Sequence, residues 1–463
     1  MEISRKELLA LAAMAFGVFM DGLDSSIVNI ALPSIAEYFG VDAGVAAWVT
    51  VVYLMMIAGM MLIFGRLADS GRIKRIYVIG FALFGISSLF CGISANFPML
   101  VAARAVQGVG AAMLAAVSPM ICVKYVSEDR LGLAMSLFML AGSVGYLSGP
   151  AVGGLIVDIA SWHWAFLINV PISVAAILIS LRALPKDGPV SGSKPDLTGC
   201  AALFLAVISG TYIIEMFSHE GQQGVCLALA AVMAVSILLF IRNERRAERP
   251  VIGLDMFRNW RFDSVLLCYL LISLVYVGSS YLVPFYFRVE LLLSYAVGGL
   301  LIMIPSIVSM ALGVPAGRYG DRHGRRNLCI IGTAALTAQS VCLLLLDPET
   351  GWIPFIPIGV LGGVLWGIGG SVASRIVDES PRSDRSISST ISNFVYYAGG
   401  CIGTAVFAAL VTVGSGAPGI PIDQISAGDF MDGFRLAMLF AVLLSAASLF
   451  CAWAVKDRKT AAP

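Results

Sequence analysis

The chain has 463 residues, of which 59% are hydrophobic and only 13% charged, where soluble domains carry roughly 25% charged residues. With a mean hydropathy of +0.89, that apolar surface needs lipid around it, and a net charge of +1 offers no bulk attraction to nucleic acid or to an acidic partner. Nine cysteines fall singly in apolar stretches, and His163, His219 and His323 are widely separated, so no metal site is expected. There is no G-x-x-x-x-G-K-[ST] phosphate loop and no Ser/His/Asp arrangement, so neither ATP drive, a cofactor nor an enzymatic activity is expected.

In chain order, Met1–Glu7 is short and charged, and an apolar run starts at Leu8 and continues past residue 30 with Asp21 and Asp24 inside it. A cleaved signal peptide ends its apolar core after about 7 to 15 residues, so this first run is expected to stay as a membrane span. A helix rises about 1.5 Å per residue, so crossing a hydrocarbon core of about 30 Å takes roughly 20 apolar residues. Fourteen stretches meet that length: 8–32, 46–64, 76–96, 98–122, 132–157, 164–183, 197–217, 224–241, 264–286, 294–316, 327–346, 353–374, 387–411 and 434–455. The runs are continuous rather than alternating, which excludes a membrane β-barrel and predicts an all-α polytopic protein.

With the N-terminus placed in the cytoplasm, 27 of the 30 Lys and Arg residues fall in inner segments; Arg288 and Arg435 lie near outer ends and Arg104 inside span 4. Miscounting by one span would invert the later loops. The bias therefore predicts an even number of spans with both termini cytoplasmic, in a plasma or inner membrane. Gly65-Arg66-Leu67-Ala68-Asp69 after span 2 is echoed by Gly317-Arg318-Tyr319-Gly320-Asp321 after span 10, each followed by a basic cluster. Two copies, each closing the second span of a six-span set, predict a 6+2+6 layout. Its parts are a first six-helix bundle (1–185), a central inserted pair with its flanking inner loops (186–261) and a second six-helix bundle (262–463). Duplicated halves place a substrate site at their interface near mid-membrane.

The loop after span 2, Gly65 to Arg75, resembles the G-x-L-a-D-r-x-G-r-k-r signature of the major facilitator superfamily, although Gly71 comes one place early and Arg72 stands where glycine is usual. The copy ending Gly324-Arg325-Arg326 keeps the glycine in register. Gly and Asp four apart share a helix face, glycine allowing close approach and Asp receiving donors from a neighbouring helix N-terminus. The resemblance gives Gly65, Asp69, Arg72, Arg75, Gly317, Asp321 and Arg325 a gating role rather than a binding one. Arg104-Ala105-Val106-Gln107-Gly108-Val109-Gly110-Ala111 in span 4 resembles the family's R-x-x-Q-G-x-G-A. An arginine inside an apolar helix is costly and is expected to face a cavity or a carboxylate.

Leu23-Asp24-Ser25-Ser26-Ile27-Val28-Asn29-Ile30-Ala31-Leu32-Pro33 is similar to the L-D-x-T-I-V-N-V-A-L-P string of the fourteen-span drug:proton antiporters within that superfamily. Burial disfavours an ionised carboxylate and a cation such as Arg104 favours it, so a change in either loads or releases a proton. Asp24 is the leading proton-coupling residue on this reading, and Asp21, three residues away on the same face, is placed to share the role. In span 5, Gly145, Gly149 and Gly153 recur every four residues beside Pro150, as in the antiporter signature ending G-P-x-x-G-G, and form a bare stripe for close helix packing. Trp162-His163-Trp164-Ala165-Phe166-Leu167-Ile168-Asn169-Val170-Pro171 is close to the W-R-W-I-F-L-I-N-V-P string of the same branch, with His163 replacing its Arg.

Tyr53, Gln107, Tyr281, Phe285, Tyr286, Trp366, Asn393 and Tyr396 are the candidate cavity residues, since aromatic faces suit flat or cationic ligands. Glu215, Asp158 and the Arg288/Glu290 pair read as interfacial. The resemblance covers nearly the whole chain and implies a monomer that exports small organic compounds in exchange for protons by alternating access. The alternative is a transporter of the same fold for a metabolite, lipid or siderophore, or an importer.

Overall fold

The computed structural model describes residues 5–127, 131–187, 197–217, 223–246, 256–257, 259–379, 385–416 and 419–455, which hold sixteen α-helices and no strand. The first six spans are α1 (Arg5–Phe39), α2 (Ala43–Ala46) with α3 (Trp48–Asp69), α4 (Ile73–Gly92), α5 (Phe97–Tyr125), α6 (Leu131–Ile159), and α7 (His163–Leu167) with α8 (Asn169–Ala183). α9 (Leu197–Phe217) and α10 (Gln223–Glu244) follow in the chain and pack on each other. The last six are α11 (Trp260–Val289), α12 (Tyr295–His323), α13 (Arg326–Leu344), α14 (Phe355–Asp378), α15 (Arg385–Gly414) and α16 (Ala427–Ala454).

Thirteen helical segments among the described residues are long and apolar enough to cross a bilayer. The apolar part of α9 is shorter, Ala201–Ile213, but the helix has 21 residues, about 30 Å at 1.5 Å per residue, and takes the remaining place. Several helices overrun their apolar cores, as α1 does by continuing through Pro33 to Phe39, because helical backbone projects beyond the hydrocarbon wherever a span tilts. Local signals set the ends. The Asn96 side chain accepts a hydrogen bond from the backbone N–H of Met99 at 2.9 Å and starts α5 beside Pro98. Gly71 (φ 102°) and Gly324 (φ 85°) take the left-handed conformation after α3 and α12. The early glycine therefore has a consequence: α3 stops at Asp69, whereas α12 runs two residues past Asp321.

The first six spans pack on one another, as do the last six, and α9 lies against both α3 and α15. Between the two groups the principal contacts are α6 with α12 and α3 with α15, with α1 touching α11. Along α6 and α12 these contacts gather at the end away from the basic loops. There Asp158 accepts from the backbone N–H groups of Tyr295 (3.1 Å) and Ala296 (2.8 Å) in the first turn of α12, a carboxylate on a helix N-terminus. Arg288 meets Glu37 at 2.7 Å, and the Tyr281 hydroxyl donates to the carbonyl of Ala43. Toward the basic end the same two helices part. A Cβ at Gly313 or Gly317 would meet nothing within 4 Å, and Leu133, Met139, Leu140 and Val314 are exposed.

Just beyond α11 at the sealed end, burial pushes the Glu290 carboxyl up to about 7 against the counter-pull of Arg435, and its Oε1 has no hydrogen-bond partner. A carboxyl raised on folding favours the protonated form, so its contribution is full below the ordinary value of 4.5 and is lost as pH rises through about 7. The unfolding temperature of detergent-solubilised protein is expected to fall across that window, and Glu290→Gln is expected to remove that part of the fall. An unchanged pH profile in the variant would exclude Glu290 as its source.

Candidate functional site

The family-like strings of spans 1, 4 and 6 converge on one buried cluster. Asp24 has no exposed surface and Arg104 is 1% exposed, and their side chains meet at 2.7 Å. The other Asp24 oxygen accepts from the amides of Gln107 (3.0 Å) and Asn169 (2.7 Å). Arg104 also donates to the Val49 carbonyl (3.0 Å) and to Gln107 Oε1 (2.7 Å), and Gln107 donates to Ser88 at 2.8 Å. A buried ion pair persists only when its remaining donors and acceptors are met, and here they come from α3, α4, α5 and α8 of the same half. Gln107 thus belongs to this cluster, walled in by its own half.

Asp21 sits one turn away in different surroundings. It is partly exposed, accepts a hydrogen bond from Tyr53 of α3 at 3.1 Å, and accepts a second from Tyr397 of α15 at 3.4 Å. Tyr53 joins the two carboxylates, since its ring lies 4.0 Å from the Arg104 guanidinium carbon while its hydroxyl reaches Asp21. Tyr146 of α6, 40% exposed, is within hydrogen-bonding reach of Ser25 and Tyr396. Across from it the second half presents edge-on aromatic rings: Tyr276 against Trp366 (5.2 Å between centroids) and Trp366 against Tyr396 (5.6 Å).

Of the expected cavity residues, Tyr53, Trp366 and Tyr396 therefore gather near Asp21, and Asn393 is exposed one turn before Tyr396. Tyr281, Phe285 and Tyr286 do not join them. They lie farther along α11, fully buried, with Tyr286 packed on Phe355 and Phe434. Tyr397, Tyr276 and Ser88 reach the site without a sequence motif that marks them. Asn169 does carry a signal, as a polar residue inside the apolar run of the Trp162–Pro171 string.

The glycines of span 5 explain how α1 is held. A Cβ at Gly145 would strike the Phe19 carbonyl, one at Gly149 the Ser26 side chain, and one at Gly153 would lie 2.6 Å from Ile27. The stripe therefore seats the stretch of α1 that carries Asp21 and Asp24. Gly154 faces the other way: its Cβ would enter the Tyr295 backbone of α12, and a Cβ at Gly299 would enter the Pro150 carbonyl. Among the loop residues, Lys74 and Arg75 donate their backbone N–H groups to Asp187 at 2.8 and 3.0 Å, which caps the start of α4. Gly65 is partly buried near Met120, Arg72 is partly buried, Arg75 is exposed, and Arg325 precedes α13. The side chains of Asp69, Asp321 and Glu215 lie outside the described residues.

Two helical halves that seal against each other at one end, part toward the other and keep charged groups at mid-membrane form the framework of a multi-pass membrane transporter for small molecules. The chain belongs to the Major Facilitator Superfamily, whose family model matches residues 14–404. Among similar proteins, one named as the multidrug resistance protein MdtD of Escherichia fergusonii is 33% identical over 356 residues, 74% of this chain and 73% of its own. The riboflavin transporter RibZ of Clostridioides difficile is 28% identical over 408 residues, 87% of this chain and 88% of that one. Among solved structures, a bacterial homologue of the human lysosomal transporter Spinster, inward-facing and occupied, aligns with a TM-score of 0.68 over 98% of this chain and 97% of that one at 14% identity. A POT family transporter bound to a thioalcohol-conjugated peptide aligns at 0.69 over 94% of each chain and 13% identity. At such identities the structures speak for the fold alone.

Proposed function

We propose that this protein is a proton-coupled exporter of small hydrophobic or cationic organic compounds. It works as a monomer by alternating access between its two six-helix halves, in a plasma or inner membrane with both termini cytoplasmic. The observation that carries the reading is the pair of neighbouring carboxylates on α1, Asp24 held by Arg104 and Asp21 facing the seam between the halves. A proton and a cargo that favour opposite arrangements supply the differential affinity that coupling requires. The likeness to MdtD supports efflux as the direction, and the fully satisfied Asp24 supports Asp21 as the group more open to cargo.

Proteoliposomes test this directly. With an imposed pH gradient, wild-type protein is expected to move a fluorescent cationic dye against its gradient, and a protonophore to collapse that movement. Dye movement indifferent to the gradient would remove proton coupling, and Asp24→Asn vesicles coupling as well as wild type would remove Asp24 from it. A second reading, transport of a flat metabolite, is favoured by the aromatic rings of Tyr276, Trp366 and Tyr396 together with the likeness to RibZ. The same vesicles loaded with riboflavin separate the two readings, by which compound moves and in which direction.

A further inference from the structure

Asp21 and Asp24 are three residues apart on one helix, yet only Asp21 bonds to both halves. Its Tyr53 partner belongs to the first half and its Tyr397 partner to the second. Apart from the neighbouring reach of Tyr146 to Tyr396, the other polar bonds between the halves named so far lie toward the sealed end, as does that of Asn29 with the Ser280 carbonyl at 3.0 Å. The titratable groups around Asp21 are Asp24 on its own helix, Arg104 of α5 behind the Tyr53 ring, Tyr53 of α3, Tyr146 of α6 and Tyr397 of α15. Tyr397 is the one among them that donates to Asp21 from the far side of the seam.

We propose that Asp21 is the latch through which a proton governs the relative position of the two halves. Ionised, it accepts from both phenols at once. Protonated, it loses the charge that strengthens those bonds, and it gains a donor that neither phenol needs. The Tyr53 bond stays within one half and survives either way, whereas the Tyr397 bond exists only while α15 stands where it does in this structure. Protonation therefore works against this arrangement and favours the one sealed at the basic end. By reciprocity, returning to this arrangement expels the proton. Because α6 and α12 part toward the basic loops here, the proton leaves on that side. The step moves a proton only and needs no other reactant. It rests on the proton-coupled reading above and adds which carboxylate does the switching and on which side the proton is released.

Hydrogen exchange of the full-length protein in lipid nanodiscs, with labelling times scaled for the intrinsic effect of pH, tests the latch. In the wild type, the sealed-end segments around Gly154–Asp158 and Tyr295–Gly299 are expected to exchange faster as pH falls. Tyr397→Phe removes one hydroxyl and keeps the ring, and it is expected to shrink that pH response by roughly tenfold, the share of one hydrogen bond to a charged group. Asp21→Asn is expected to hold the low-pH pattern at every pH. If wild-type vesicles ignore a pH gradient, the proton-coupled reading fails and the latch with it. If they respond while both variants keep the wild-type exchange profile, the latch alone is overturned.

Discussion

Arg104→Leu is expected to abolish transport and to lower the stability of the solubilised protein by about 3–5 kcal/mol, the cost of stranding one member of a buried ion pair. The size follows from the surroundings. Asp24 has no exposed surface, so no water takes over when the guanidinium is removed. Arg104 also holds the Val49 carbonyl of α3 and the Gln107 amide of α5, so its loss loosens two further contacts. The companion Asp24→Leu/Arg104→Met is expected to recover most of the stability, less the share of Gln107 and Asn169, whose amides then lack their acceptor. Transport stays lost in that pair, which separates the structural job of the cluster from its functional one. Thermal unfolding in detergent and uptake into vesicles measure the two. A single variant as stable and as active as wild type would overturn the assignment.

The second large effect is expected from Gly299→Leu, alone or with Gly154→Leu. Both glycines lie where α6 and α12 meet backbone to backbone across the seam, and a side chain at either position enters the opposite helix. Overpacking costs about 1–3 kcal/mol per site, roughly a fivefold to 150-fold loss in the population of the sealed arrangement. Neither glycine is needed for its own half to fold, so the protein should accumulate normally and fail to transport. A cysteine at Ser280, near the sealed end, should then react with a membrane-impermeant thiol reagent far faster than in the wild-type background. Gly313→Ala, whose Cβ meets nothing within 4 Å, serves as the comparison and should behave as wild type. Normal transport by Gly299→Leu would mean that this contact is not part of the cycle.

The membrane-spanning frame was legible in the sequence because span length and basic-residue placement are one-dimensional properties, set by bilayer thickness and by the sidedness of Lys and Arg. The partners of a given residue were not. Gly153 and Gly154 are adjacent, yet one faces α1 and the other faces α12, and a repeat of small residues is silent about which neighbour each will meet. Asp21 and Asp24 differ through Tyr53 and Tyr397 on the one side and Arg104, Gln107 and Asn169 on the other, which come from four other helices. Aromatic residues on α11 divided in the same way: Tyr276 reaches the ring cluster, while Tyr281, Phe285 and Tyr286, one to three turns on, pack at the sealed end. Depth along a helix separates them, and composition does not record depth.

The inserted helix α9 is docked on both halves at once. Phe204 occupies the space left by Gly59 of α3, Tyr212 lies 5.4 Å from Trp48, and Thr211 sits 3.6 Å from Cys401 of α15. A helix fastened to both covers along one edge is the spine of a book. With α3, α9 and α15 bound together on that edge, a swing of the halves has its shortest travel there and its longest at the fore-edge, where α6 and α12 meet. For halves that rock as proposed, α9 makes this edge the hinge and gives the motion a preferred direction within the membrane plane.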